Sequence, residues 1–114
     1  MTDVLDEFLR QEEGWVLVNL WEEWADACRR MNQVMDDLET GAEHQLTILR
    51  LNLSDHRAWA SSHRVEGTPS LLVFHQGRLV AAVRGVVDLP TLRAWLSQLE
   101  HDVGSAEWSV GTDV

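Results

Sequence analysis

VLVNLWEEWADACRR, residues 16–30, changes its apolar period partway through. Residues 16–21 are almost wholly apolar over the length of one strand, the composition of a strand covered on both faces. From Asp26 onward, Cys28, Met31, Val34, Met35 and Leu38 recur every three or four residues until Gly41, which suits a helix terminus. A central strand therefore passes through a short acidic loop directly into the first long helix.

Outward from this core the same two periods continue. Val4, Leu5, Phe8 and Leu9 share one face of a predicted helix over 3–10, and LTILRLNL at 46–53 is a β-rich run. Ser54 offers a side-chain cap for a short helix reaching about Ser62. SLLVF (70–74) and LVAAVR (79–84), separated by HQGR, read as an antiparallel hairpin around a glycine-containing turn. Asp88 can cap a final helix that carries Leu92, Trp95, Leu96 and Leu99 on one face, with Pro90 in its permissive first turn. The predicted order is αβαβαββα, an α/β protein. Residues 101–114 lose helical periodicity and contain two glycines, so a domain over 1–100 is expected to end in a mobile tail, with Trp108 its large apolar residue.

The charge balance, 19 acidic residues against 9 basic ones, all arginine, gives a formal charge of −10. Such a field repels phosphate backbones and anionic lipid, so neither nucleic acid nor membrane is an expected partner. The apolar runs are too short to span a bilayer, and MTDVLDEF lacks the basic start of a signal peptide, so the expected location is the cytoplasm. Cys28 is the single cysteine, which excludes an internal disulfide and any multi-cysteine metal site. The five histidines, His44, His56, His63, His75 and His101, never fall at the three- or four-residue helical spacing of paired ligands, so they are read as surface residues and no metal or other cofactor is expected. Glu22 and Glu23 read as solvated carboxylates. Trp59 and Trp95 read as packing residues, Trp21 as core and Trp15 as an edge residue.

The element order, the strand running into a WxxC helix and the Gly-Thr-Pro before the hairpin resemble the thioredoxin family over about residues 3–100. VLVNLWEEWADACRR is similar to that family's first core strand and redox loop, whose usual core is Trp-Cys-Gly-Pro-Cys. RLNLSD resembles the next strand end, VEGTPSLLVFHQGRLV the cis-proline loop and hairpin, and VRGVVD the glycine turn before the last helix. The resemblance implies the thioredoxin fold, a central mixed β-sheet flanked by helices. It also assigns roles position by position. Trp24 matches the tryptophan before the motif, Ala25 stands where the attacking cysteine belongs, Asp26 and Ala27 replace Gly-Pro, and Cys28 matches the resolving cysteine. Thr68–Pro69 matches the pair whose proline is cis, and Gly67 and Gly85 match glycines beside the substrate groove. Asn19 replaces the family's buried aspartate, and an amide cannot act as that base.

Dithiol reduction needs one thiolate to form a mixed disulfide and a second thiol to release it. With Ala25 in place of the nucleophile, the cycle cannot close. The resemblance thus implies a thioredoxin-like protein without dithiol oxidoreductase activity that binds a polypeptide partner through Trp24, Ala25, Asp26, Ala27, Gly67, Thr68, Pro69 and Gly85, as an adaptor, co-chaperone or assembly factor. The alternative is a monothiol protein in which Cys28 forms mixed disulfides. Cys28 is open to either reading, a reactive thiol or a small buried core residue, and Trp24 to contact or packing.

Overall fold

A computed structural model describes residues 4–41 and 46–109; side chains beyond 102, Trp108 among them, and His44 lie outside what is described. Helix α1 (Val4–Gln11) leads into strand β1 (Trp15–Trp21), followed by helix α2 (Asp26–Gly41) and strand β2 (Leu46–Asn52). A 3-10 turn (Leu53–Asp55) and helix α3 (Arg57–Ser62) precede the hairpin of β3 (Ser70–His75) and β4 (Arg78–Arg84), and helix α4 (Leu89–Ser109) ends the order. The elements follow the predicted order, with α4 continuing beyond residue 100, where the apolar periodicity ends.

The four strands form one mixed sheet in the order β2-β1-β3-β4, with β1 parallel to β2 and antiparallel to β3, and β3 antiparallel to β4. Period-two alternation splits β1 between two cores. Val16, Val18 and Leu20 pack with Leu9, Trp59 and Phe74 beneath α1 and α3, while Leu17 packs with Met31, Met35, Leu92 and Leu96 beneath α2 and α4. Covered on both faces, β1 tolerates the continuous apolar run seen in its sequence.

Polar contacts between distant segments close the α1/α3 side. Trp59 Nε1 donates to Asp6 Oδ1 at 2.8 Å, which ties α3 to α1. His63 is no surface histidine: its ring lies 4.5 Å from that of Trp59 and edge-on to Phe74, because α3 ends over the sheet rather than in solvent. The short helix also starts differently from expectation. Asn52, not Ser54, supplies the capping oxygen, accepting from the Ser54 N–H at 2.9 Å, and α3 itself has no side-chain cap. On α1 the apolar stripe is only partly used, since Leu9 is buried whereas Val4 and Phe8 are exposed. Trp21 is half-buried at the end of β1 instead of fully inside, and Trp15 stacks on His75 with ring centres 4.3 Å apart.

Three places among the described residues hold positive φ: Arg64, the Gln76–Gly77 pair and Gly85. In the β3–β4 hairpin, Gln76 (φ 52°) and Gly77 (φ 80°) both adopt the left-handed region that suits a tight two-residue turn. A Cβ on Gly77 would approach the Arg10 Cα to 2.9 Å, so the hairpin tip closes against α1 only with glycine there. Asp88 caps α4 as expected: Thr91 N–H donates to its carboxylate at 2.9 Å. Hydrogen bonds from the Thr91 side chain and then its backbone hold the Asp88 carboxyl below the usual carboxylate range.

Helix α3 ends in a Schellman arrangement. Val65 N–H donates to Ala60 O and Arg64 N–H to Ser61 O, each at 2.9 Å, and Arg64 takes φ 61° at the position glycine normally fills. A left-handed residue bearing a Cβ costs about 1–2 kcal/mol, partly offset by glycine's greater freedom in the unfolded chain. Arg64→Gly is therefore expected to stabilise the protein by about 1 kcal/mol, read as a raised denaturation midpoint at unchanged m-value.

Candidate functional site

The sheet register brings the loop after β1 beside the loop before β3. Leu20 pairs with Ser70 at the C-terminal end of β1, so Glu22–Ala25 and Gly67–Pro69 leave the sheet at the same edge. A side-chain bond joins the two loops: the Thr68 hydroxyl donates to Glu22 Oε1 at 2.5 Å. Glu22 is thus half-buried and engaged, not merely solvated. Residue spacing gave no sign of this, because the partner lies 46 residues along the chain.

The Thr68–Pro69 peptide is cis. Pro69 O accepts from Gly85 N–H at 2.9 Å, which attaches the turn after β4 to the same loop. Gly85 holds φ 105°, a conformation side chains rarely adopt, and nothing lies within 4 Å of where its Cβ would stand. The surface there stays open and flat. Among the described residues, neither the N–H nor the C=O of Thr68 has a hydrogen-bond partner. Beside this open main chain, Trp24 is 69% exposed and Val86, next to Gly85, is also exposed.

Helix α2 begins within the site. Ala25 O accepts from Cys28 N–H at 3.0 Å and from Arg29 N–H at 3.2 Å, so Ala25 stands at the cap with no side-chain acceptor of its own. Asp26 faces solvent at the positive end of the helix and pairs with Arg29 at 2.6 Å, an exposed pair that contributes little. Ala27 is half-buried. Cys28 is free and 0% exposed. The site therefore gathers Trp24, Ala25, Asp26, Gly67, Thr68, Pro69 and Gly85 near one surface and turns the thiol inward from it.

On the α2 side of β1 a buried amide meets a half-buried one. Asn19, 0% exposed on β1, donates Nδ2–H to Asn32 Oδ1 at 3.0 Å. Asn32 is four residues beyond Cys28 and shares its helix face. Asn19 Oδ1 is buried without a partner, at a cost of about 1–3 kcal/mol. Asn32 gave no signal in the sequence, since a single asparagine within an amphipathic helix looks like any other polar position. Among the described residues, no group of three or more His, Cys, Asp or Glu could hold a metal ion, and no helix is long and apolar enough to cross a membrane.

The thioredoxin family model matches residues 2–98, and the chain belongs to the thioredoxin family. It is 31% identical over 96 residues to a thioredoxin from Synechocystis, covering 84% of this chain and 85% of that one. With a thioredoxin from Buchnera aphidicola it shares 26% identity over 98 residues, covering 85% and 90%. Among solved structures, a mutant thioredoxin from Halobacterium salinarum superposes with a TM-score of 0.73 at 23% identity, covering 83% of this chain and 81% of that one. That likeness supports the fold.

The full burial of Cys28 yields a direct expectation. A thiol reagent should modify the native protein roughly a hundredfold or more slowly than the denatured one, because reaction must await opening of the helix start. A native rate matching that of the unfolded chain would mean the thiol is reachable as folded.

Proposed function

We propose that this thioredoxin-family protein binds polypeptide without dithiol oxidoreductase activity, as an adaptor, co-chaperone or assembly factor. The observation that carries the reading is the pairing of an open Thr68 main chain with an exposed Trp24, while the single sulfur is buried. Unpaired N–H and C=O groups at the end of a sheet accept an extended segment by strand addition, which requires no sulfur chemistry. Trp24 supplies apolar area for a side chain of that segment. Gly85 keeps the surface low, Pro69 supports it from the buried side, Gly67 borders it under Arg84, and Ala25, Asp26 and Ala27 form its helix-side rim. The relatives are named thioredoxin, and Ala25 is the departure that separates this chain from their two-thiol chemistry. The monothiol alternative requires an accessible thiolate, which a fully buried Cys28 does not offer. A chain that needs no disulfide suits the cytoplasm, where we place it.

Binding of a reduced, alkylated unfolded polypeptide, followed by anisotropy, tests this reading. Wild type and Cys28→Ser should bind alike, and Trp24→Ala should bind about tenfold more weakly, the loss of roughly 1.4 kcal/mol expected for a tryptophan anchor. Dependence on Cys28 with indifference to Trp24 would reverse the assignment. In an insulin reduction assay with dithiothreitol, the wild type should not exceed the reductant alone.

Restoring the sulfur probes the chemistry from the other side. Ala25→Cys places a second thiol at the cap of α2, three residues before Cys28, and should create an oxidisable pair detected as loss of titratable thiols under mild oxidant. Activity should stay modest, because Asn19 cannot move a proton. Adding Asn19→Asp should raise turnover; a double variant no faster than the single one would disconnect residue 19 from the thiols.

A further inference from the structure

A second concave surface lies on the α1/α3 side of the sheet, between the end of α3 and strands β3 and β4. This cleft of about 230 Å³ has Leu72 and Ala82 on the sheet face and His63, Arg64, Glu66 and Arg84 around it. It contains none of Trp24, Ala25, Cys28, Thr68 or Pro69. Leu72 and Ala82 are cross-strand partners and so share that face; Leu72 is fully buried, and Ala82 is the apolar side chain of the floor that stays exposed.

We propose that this cleft binds an acidic, extended polypeptide segment, its carboxylates paired by Arg64 and Arg84. In a chain of charge −10, acceptors for arginine are plentiful. Arg10, Arg29 and Arg50 each have one or more carboxylate partners. Arg64 and Arg84 have none among the described residues, as is also the case for Arg30, Arg57 and Arg78; what sets these two apart is that both line one cleft, with Glu66 on the same wall. The Arg84 side chain lies against Gly67, its Nε 3.5 Å from where a Cβ there would be. Arg64 occupies the left-handed position of the Schellman turn, where glycine would fold more readily. A cationic side chain placed where the backbone favours glycine points to a role outside folding.

Guanidinium groups pair carboxylates through two parallel hydrogen bonds. Among the described residues β4 is an edge strand with no partner on its outer side, so an extended segment can also align along it while an apolar side chain meets Ala82. The protein's net charge opposes an acidic ligand at long range. At physiological ionic strength the screening length is about 8 Å, so that repulsion fades while contact pairs inside the cleft persist.

The test is fluorescence anisotropy at physiological ionic strength with a fluorescein-labelled peptide of alternating glutamate and valine, against the same peptide with glutamine for glutamate. The glutamate peptide should bind at least about tenfold more tightly. Arg64→Gly and Arg84→Gln should each weaken it by about tenfold, whereas Arg57→Gln, the same charge change outside the cleft, should leave it unaltered. Arg64→Gly should at the same time melt higher than wild type, so its weaker binding is not a folding defect. Equal affinity for the two peptides, an Arg57→Gln loss as large as that of Arg64→Gly, or a lowered melting point in Arg64→Gly would overturn the proposal. So would succinate that displaces the peptide at equal concentration, because the cleft would then serve a small dicarboxylate.

Discussion

Strand β1 is the constraint on which the rest depends. Its whole run from Val16 to Leu20 is buried, and it is hydrogen-bonded to β2 on one side and β3 on the other. Its alternate side chains serve two separate cores, one on each face of the sheet. Truncating a buried leucine there costs about 2–5 kcal/mol, a large share of the roughly 5–15 kcal/mol that holds a typical domain. The site inherits its geometry from this strand. Where β1 ends fixes the loop that starts α2, and the pairing of Leu20 with Ser70 fixes where the Thr68–Pro69 loop emerges.

What the sequence disclosed follows from the range over which its patterns act. Helix α2, strand β1 and the hairpin each repeat an apolar period over many residues, and each appears where its period predicts. The cis Thr68–Pro69 peptide and the glycine turn at Gly85 were legible through resemblance, because their spacing from the hairpin is a local matter. Glu22 and Asn32 were not, since each acquires its meaning from a partner on another element: Glu22 from Thr68, and Asn32 from Asn19. His63 and the Asp6–Trp59 bond belong to the same class of contact between distant segments. The exposure of Val4 and Phe8 has a different cause. Val4 and Phe8 stand one turn apart on one side of the apolar stripe, while Leu5 and Leu9, one turn apart on the other side, face the core near β1.

The pair of Asn19 and Asn32 bears on why the thiol lies inside. An ionised carboxylate at residue 19 would lose its hydration in a fully buried position, a penalty of several kcal/mol unless a charge or several donors met it. The amide avoids that penalty and carries no charge at any pH, although its Oδ1 remains without a partner. A base is useful beneath a thiol only if the thiol is to give up its proton. Cys28 has no neighbouring sulfur to attack, and nothing at residue 19 could take its proton. Burial of the sulfur, the neutral amide at residue 19 and alanine at the helix cap are therefore mutually consistent, each removing a requirement that the others would otherwise impose. What remains open to solvent is main chain at Thr68, the indole of Trp24 and the flat turn at Gly85, groups that act by contact and hydrogen bonding.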